Sequence, residues 1–395
     1  MNEIFNLVLL AVLALVFIPT LLLFLQVICA SLPRRPAPLP EVAPPRLAVV
    51  VPAHNESIGI RVALESVMPQ LRAGDRLIVV ADNCTDDTAQ IARAAGAAVV
   101  ERHDPARRGK GYALDFGVRY LERDPPQVVV IIDADCWVAP GAIDRIAGLS
   151  WSTGRPVQAL YLMKSPEPAS AMMPVKEFAW TMKNLVRPLG FLQIGLPCQL
   201  MGTGMAFPWP SISKATLASG HIVEDLKLGL ELARAGTAPL FCPDASVISV
   251  FASSADGARA QRTRWEHGHL AMVFSEAPGY FVDAVRGMNL PLLALTMDLC
   301  VPPLALLTLA ISGLCAAALL DFIVYASATP LLFALLVTLC LAAAVFLAWA
   351  GFARDIASVR VLLRAPVYAL AKIPLYVRFL VRRQVDWVRS KRDTP

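Results

Sequence analysis

Asp133 and Asp135 stand one residue apart where the apolar run Val128-Val129-Val130-Ile131-Ile132 gives out. Such a run of β-branched residues reads as a strand buried on both faces. A buried strand has no structural use for acids at its end, because unpaired desolvated charge is costly. A divalent cation offsets that cost, and hard oxygen ligands there suit Mg²⁺ or Mn²⁺ holding a substrate diphosphate. Acids that merely cap a turn would look the same. Two further groups stand downstream. Glu224 and Asp225 open the helical pattern of residues 226–235, closed by Gly236, where the helix dipole favours acids and capping alone would account for them. Gln261, Arg264 and Trp265 form a Q-x-x-R-W pattern. Arg264 is able to neutralise a departing diphosphate, and Trp265 to stack on a sugar or wall an acceptor site.

The elements that must position these groups alternate in type. Residues 47–51 read as a strand, 60–71 as a helix, 76–81 as a strand and 87–95 as a helix. Residues 98–102 follow as a strand, 110–121 as a helix and 128–132 as a strand. That order gives an α/β fold with a parallel sheet, helices on both faces, and ligands beyond the carboxyl ends of the strands. The polar clusters all fall there. Pro52, Ala53, His54, Asn55 and Glu56 follow the first strand, and Asp82, Asn83, Thr85, Asp86 and Asp87 the second. Arg107, Arg108, Gly109, Lys110 and Gly111 follow the third, and the acid pair the fourth. Singly, Asn55, Ser57, Thr85 or Asp86 would serve as helix caps, and residues 107–110 as a solvated basic turn. Together they supply acids for a metal, hydrogen-bonding groups for a base, and a glycine-flanked lysine for phosphate. Gly202, Thr203 and Gly204 lie between apolar segments, where the glycines let backbone approach a ligand or simply turn into a strand.

Over residues 47–270 these motifs resemble the family 2 glycosyltransferases, membrane-associated enzymes with a GT-A fold. The resemblance implies that Pro52, Ala53, His54, Asn55 and Glu56, with Asp82, hold uridine, and that Lys110 lies near the nucleotide. It implies that Asp133 sits by the ribose and diphosphate, that Asp135, beyond Ala134, ligates the cation, and that Gly202, Thr203 and Gly204 wall the acceptor side. Of the Glu224 and Asp225 pair, it implies Asp225 as general base and Glu224 as its orienting neighbour. Where this chain has His54, the family often has an aromatic residue. Gln261, Arg264 and Trp265, downstream of the other motifs, are similar to the membrane subgroup that includes cellulose, chitin and hyaluronan synthases and ceramide glucosyltransferase. His267 and His269, which follow at once, read as ordinary polar residues.

Of 395 residues, 56% are hydrophobic and 17% charged, too apolar for an ordinary soluble protein and too charged in the middle for a membrane bundle. Residues 4–32 carry no charge, ample for an anchor, since a span takes about 20 residues. Only Glu3 is charged ahead of it, unlike the basic start of a cleaved signal. Residues 290–320 and 331–352 read as two further spans, the first kinked or broken at Pro302-Pro303. Residues 361–388 mix apolar side chains with Arg364, Lys372, Arg378, Arg382 and Arg383, the composition of a basic amphipathic helix on an anionic leaflet. Arg34, Arg35 and Arg46 follow the first span and a basic tail the last, which places the N-terminus outside and the central region and C-terminus in the cytosol. The expected divisions are an anchor (1–32), a proline-rich linker (33–46), a cytosolic catalytic domain (47–286), a transmembrane hairpin (287–352), and an interfacial helix with tail (353–395). The net charge of +5 lies largely in that tail, so nucleic acid is not indicated. Eight cysteines without a C-x-x-C pair read as reduced thiols.

The expectation is an integral membrane protein of α/β class: a GT-A type, Rossmann-like, mainly parallel sheet with transmembrane helices at both ends. Its activity would be that of a metal-dependent inverting hexosyltransferase using Mg²⁺ or Mn²⁺. The sugar would pass from a nucleotide-sugar, UDP-linked, to a membrane lipid-linked acceptor in glycolipid or surface-polysaccharide assembly, and alanine- and arginine-rich usage points to a bacterial inner membrane. The alternatives are a processive polysaccharide synthase and an inactive nucleotide-binding scaffold subunit. Three crossings leave little to line a polymer channel, and intact Asp133, Asp135, Asp225, Arg264 and Trp265 argue against decay. Asp298, in an apolar stretch, is a candidate contact for a polar lipid headgroup or the partner of a basic residue.

Overall fold

The computed structural model describes residues 2–34, 43–166 and 172–381, which form two compact units. Among the described residues, one unit comprises 34, 43–166 and 196–295, and the other 2–33, 172–195 and 296–381.

The first unit is built on an eight-stranded sheet. Strands β1 (Leu47–Ala53), β2 (Arg76–Asp82), β3 (Ala98–Arg102) and β4 (Val128–Ile131) form its parallel half, with β1 between β2 and β4. The other half is mixed and contains β5 (Trp137–Val138), β6 (Val157–Lys164), β7 (Met205–Pro208) and β8 (Leu240–Val250), giving the order β3-β2-β1-β4-β7-β6-β8-β5. Because β7 runs antiparallel to β4, with Met205 opposite Ile131, its start lies beside the end of β4. Gly202, Thr203 and Gly204 therefore join the edge on which the parallel strands end.

Alternate residues Ala48, Val50, Ile78, Val80, Val129 and Ile131 share a core with Leu114, Val118 and Leu121 of the helix Lys110–Leu121. Gly117 lets that helix lie close, since a Cβ there would stand 2.9 Å from both Val50 and Val80. The other strand positions are buried too, so β4 is closed to water along its length. The helix expected over 60–71 stops at Val67, and Met68–Gln70 tightens into a 3₁₀ turn around Pro69.

The second unit contains three helices long and apolar enough to cross a membrane: Glu3–Ala30, Leu304–Tyr325 and Ala328–Phe352. The long apolar region expected over 290–320 divides at Pro302-Pro303 into a short helix, Leu290–Leu299, and the second of these spans. Residues 172–195, inside the expected catalytic stretch 47–286, cluster with the spans instead. They form the helix Met173–Thr181, a π-helical turn Met182–Val186 and the helix Arg187–Gln193. A Cβ at Gly190 would stand 2.0 Å from the Gln26 carbonyl oxygen, so this insertion rests directly on the first span.

Asp298 pairs within the protein. Arg187 donates to its carboxylate at 2.7 Å and to its carbonyl at 2.6 Å, and Gln26 donates to the carboxylate at 2.7 Å. Beyond Phe352 the single amphipathic helix expected from 361 is replaced by Val359–Leu362, Ala365–Leu370 and Ile373–Val381. Pro366 and Pro374 lack the N–H that would carry a helix through them. Residues 35–42 of the linker and 382–395, with Arg35, Arg382 and Arg383, lie outside the described residues. All eight cysteines are free thiols.

Candidate active site

The loops after β1 and β2 are held together by side chains. His54 Nδ1 donates to the Asp82 carbonyl at 2.6 Å. Asn55 takes the left-handed conformation (φ 56) that asparagine tolerates, and its Oδ1 accepts from Thr85 N at 2.6 Å. Asn55 and Ser57 do not cap the next helix, which has Gly59 at its N-cap and no side-chain cap. Glu56 N donates to Thr88 Oγ1 at 2.8 Å and Ser57 N to Asp86 at 3.2 Å. Asp86 also accepts from Thr88 N at 3.1 Å; burial opposes its charge, but these bonds prevail and lower its pKa. Asp82 is buried and receives Arg102 at 2.6 Å and Asn83 at 2.9 Å on one oxygen. Burial raises its pKa against the opposing pull of Arg102.

Lys110 forms the centre of the site. It opens its helix, ion-pairs with Asp133 and donates to the Gly202 carbonyl at 2.7 Å. Burial works against its charge, but Asp133, Glu224 and Asp225 outweigh that and hold its pKa above the usual lysine range. Gly202 (φ +91) is the meeting point: a Cβ there would stand 3.3 Å from Asp225 Oδ2 and 3.5 Å from Lys110 Nζ. Asp133 N donates to Thr203 Oγ1 at 3.0 Å, and Gly204 N to the Ile131 carbonyl at 2.9 Å. Behind this loop the buried Gln158 donates to the Thr203 carbonyl at 2.9 Å and accepts from Met201 N at 2.8 Å. The Gly-Thr-Gly turn thereby fixes the distance between the acids.

Glu224 and Asp225 begin the helix Glu224–Arg234. Asp225 Oδ1 accepts from Leu226 N at 2.9 Å, while Oδ2 faces Gly202. Burial, reinforced by the neighbouring Asp225, pushes Glu224 up to about 7. The loop ahead of this helix packs on Gly111, where a Cβ would stand 2.5 Å from the Leu217 carbonyl. Gln261, Arg264 and Trp265 lie on the helix Ala255–Ser275, at spacings that share one face with Gly268. A Cβ at Gly268 would stand 2.8 Å from Val223, so that face abuts the residue before Glu224. His267 is buried and His269 partly so on the same helix.

Asp133, Asp135 and Cys136 bring their ligand atoms within 4.8 Å of one another. Burial holds the Cys136 thiol protonated, far above its usual range, and it donates to Asp135 at 3.5 Å. Two carboxylate oxygens remain, a set that suits a hard divalent cation completed by water and phosphate. Zinc, which favours nitrogen and sulfur, is less well served.

Residues 44–268 match the glycosyltransferase like family 2. The chain belongs to this family. A glucosyl-3-phosphoglycerate synthase of Mycobacterium tuberculosis is 40% identical over 95 residues, 22% of this chain and 28% of that protein. An uncharacterised glycosyltransferase of Mycobacterium bovis is 36% identical over 122 residues, 29% of this chain and 51% of that one. A mannosyltransferase from Pyrobaculum calidifontis, solved with GDP-Man and Mn²⁺, shares the fold across 96% of this chain and 99% of its own, with 18% identity and a TM-score of 0.58.

In this family 2 glycosyltransferase Lys110, Asp133, Gly202, Glu224 and Asp225 gather at one sheet edge with Asp135 two residues along, whereas Gln261, Arg264 and Trp265 are placed only on the helix whose Gly268 abuts Val223. Pro52 and Ala53 end β1 within the sheet, and Ala134 is buried between the acids. Sequence reading passed over Arg102, Gln158 and Gly268. Arg102 ends a strand and looks like a surface charge, and Gln158 follows a valine at the start of another. Each partner lies dozens of residues away or across a sheet, where spacing gives no signal.

Proposed function

We propose that this family 2 glycosyltransferase moves a hexose from a nucleotide-sugar, UDP-linked, to a lipid-linked acceptor at a bacterial inner membrane, in glycolipid or surface-polysaccharide assembly. The observation that carries this reading is the convergence of Lys110, Asp133, Glu224 and Asp225 on Gly202, beside Asp135. The end of β1 with the loop that follows it, Pro52 to Glu56, and Asp82 at the end of β2 are tied together by hydrogen bonds and suit recognition of a flat base. Asp133 and Asp135 are the ligands for Mg²⁺ or Mn²⁺, and a cation bound there would take up charge on the donor diphosphate.

The chain's own groups do the rest. Lys110 holds Asp133 in place and sets a positive charge beside the acids. Asp225 removes the proton from the acceptor hydroxyl through Oδ2, the oxygen turned to the Gly-Thr-Gly loop. Attack from the face opposite the leaving group inverts the anomeric carbon in one displacement, which needs no carboxylate nucleophile. Glu224 orients Asp225, Arg264 offsets the diphosphate charge, and Trp265 walls the acceptor side with Gln261. The glucosyl relative supports a hexose, and the three candidate spans support an acceptor held in the bilayer. The domain boundaries proposed keep 47–166 and 196–286 as the catalytic part.

The test is nucleotide release by the full chain in nanodiscs, over a panel of UDP-sugars with membrane lipid extracts. Release should require Mg²⁺ or Mn²⁺ and cease with a chelator. Asp225→Asn should lower turnover by about 10²–10⁴-fold while nucleotide-sugar binding survives. Near-normal turnover in that variant would remove Asp225 from the role, and no release with any donor would favour a nucleotide-binding scaffold.

A further inference from the structure

Gln158 is the second residue of β6 and is fully buried, between Val157 and Ala159. The backbone of β6 already pairs with β7 there, Val157 opposite Ala206 and Gln158 opposite Met205. A leucine or methionine would serve the packing, and a buried amide costs free energy unless its hydrogen bonds are made. Here they are made. Nε2 donates to the Ala159 carbonyl at 2.8 Å and to the Thr203 carbonyl at 2.9 Å, and Oε1 accepts from Met201 N at 2.8 Å.

These bonds carry on from the sheet. The Ala159 N–H donates to the Gly204 carbonyl at 2.7 Å, one residue ahead of β7. Before that point the Gln158 amide takes over from the strand backbone and holds Thr203 and Met201, the residues on either side of Gly202. Gly202 (φ +91) has the left-handed conformation that glycine adopts freely. With both neighbours pinned, its carbonyl meets Lys110 Nζ at 2.7 Å, and its Cα faces Asp225, whose Oδ2 would lie 3.3 Å from an added Cβ. Thr203 Oγ1 receives Asp133 N at 3.0 Å. One side-chain amide thus sets the backbone against which Asp133 and Asp225 are spaced.

We infer, on the proposed glycosyltransferase reading, that Gln158 is a positioning residue for sugar transfer: it fixes the Gly-Thr-Gly loop and so the distance from Asp225 to the groups that hold the donor diphosphate. Its side-chain hydrogen bonds go to Ala159, Met201 and Thr203, away from residues 52–56 and Asp82, which are assigned to the base. Loss of the amide should therefore slow transfer and leave nucleotide affinity in place. A misplacement of about 1 Å costs on the order of 10²-fold in rate.

The test compares Gln158→Glu and Gln158→Met with the wild type, as full chains in nanodiscs with Mn²⁺, a UDP-sugar and membrane lipid extract. The introduced carboxyl has the shape of the amide. Ionised, it has no hydrogen for the Thr203 and Ala159 carbonyls; protonated, it donates to one of them again, and burial favours the protonated form. At pH 8 kcat should fall about 10²-fold in both variants, with donor KM and UDP affinity within about twofold of wild type. At pH 6 the rate of Gln158→Glu relative to wild type should recover at least about tenfold, and that of Gln158→Met should not. Thermal unfolding and UDP titration check the fold of each variant, and if Gln158→Met does not fold, the pH recovery of Gln158→Glu decides alone. Wild-type rates in both variants, a Gln158→Glu ratio that stays flat with pH, or rate and UDP affinity lost in equal proportion would overturn the inference and leave the glycosyltransferase reading standing. A wild type that releases no nucleotide with any donor would overturn that reading and the inference together.

Discussion

At the scale of single residues, the site is governed by competition for charge around Lys110. Three carboxylates face one ammonium, and the one left least compensated is Glu224, whose pKa is pushed up to about 7 by burial and by Asp225. The folded protein thus binds a proton on Glu224 at pH values where the unfolded chain, with an ordinary glutamate near 4.3, has released it. Stability contributed by this group is therefore present at low pH and lost as pH rises from about 4 through about 7. Glu224→Gln keeps the shape of the protonated acid and has no proton to lose. It should raise the melting temperature more at pH 8 than at pH 5, by a difference equivalent to on the order of 2 kcal/mol. Thermal unfolding of the metal-free protein at the two pH values reads this directly. An equal change at the two pH values would mean that the carboxylate is better solvated than its surroundings indicate.

At the scale of elements, β2 and β3 end in a buried ion pair that the next loop depends on. Arg102 reaches Asp82 at 2.6 Å and the Arg107 carbonyl at 2.9 Å, and its guanidinium lies over Tyr112 at 5.5 Å. It joins the strand ends to the segment that delivers Lys110. Arg102→Leu leaves Asp82 buried without its cation, which should cost about 3 kcal/mol of stability and loosen nucleotide binding, measured by denaturant unfolding and by titration. Gly268→Val should act more selectively. Its added atoms meet Val223 and shift the start of the Glu224–Arg234 helix, so kcat should fall about tenfold while the donor KM changes little. The same elements mark how far the sequence could be read. The four parallel strands and their loops were legible because β-branched runs and polar clusters repeat in register. β5, β6 and β8 were not, because they are short or alternate irregularly and pair across long loops. The acids could be listed from sequence, but their convergence on Gly202 depends on β7 running antiparallel to β4. The insertion of 172–195 into the membrane unit left no composition signal, since Met173–Thr181 is as mixed as a soluble helix. Asp298 was legible as unusual, but Arg187 and Gln26 lie too far away in sequence to be named as its partners.

At the scale of the molecule, the described residues of the unit with the three candidate spans include two buried polar layers, and their spacing bears on its orientation. With its amide nitrogen turned toward Asp321, Asn6 donates to both carboxylate oxygens at 2.6 and 3.0 Å and accepts from Ser327 Oγ at 3.0 Å. That layer joins the start of the first span to the turn between the other two, which Ala326 makes in the left-handed conformation. The second layer, Gln26 with Arg187 and Asp298, lies near the other end of the first span. From Asn6 to Gln26 the helix rises about 30 Å at about 1.5 Å per residue, the thickness of a bilayer's hydrocarbon core. Each polar layer then falls near an interface, where water and headgroups lower the cost of a buried acid. The N-terminus and the 326–327 turn must consequently face one side, and Pro33 and Ala353 the other. Arg34 and Arg46 follow the first span and Arg354, Arg360 and Arg364 the last, whereas the turn carries no basic residue, so the positive-inside tendency predicts the second side to be cytosolic. An epitope placed at the N-terminus or between 326 and 327 should be labelled by an impermeant reagent on intact cells, and one after Arg354 only once the membrane is opened. Labelling of the turn and the N-terminus from opposite sides would show that the Asn6, Asp321 and Ser327 layer does not form in the bilayer.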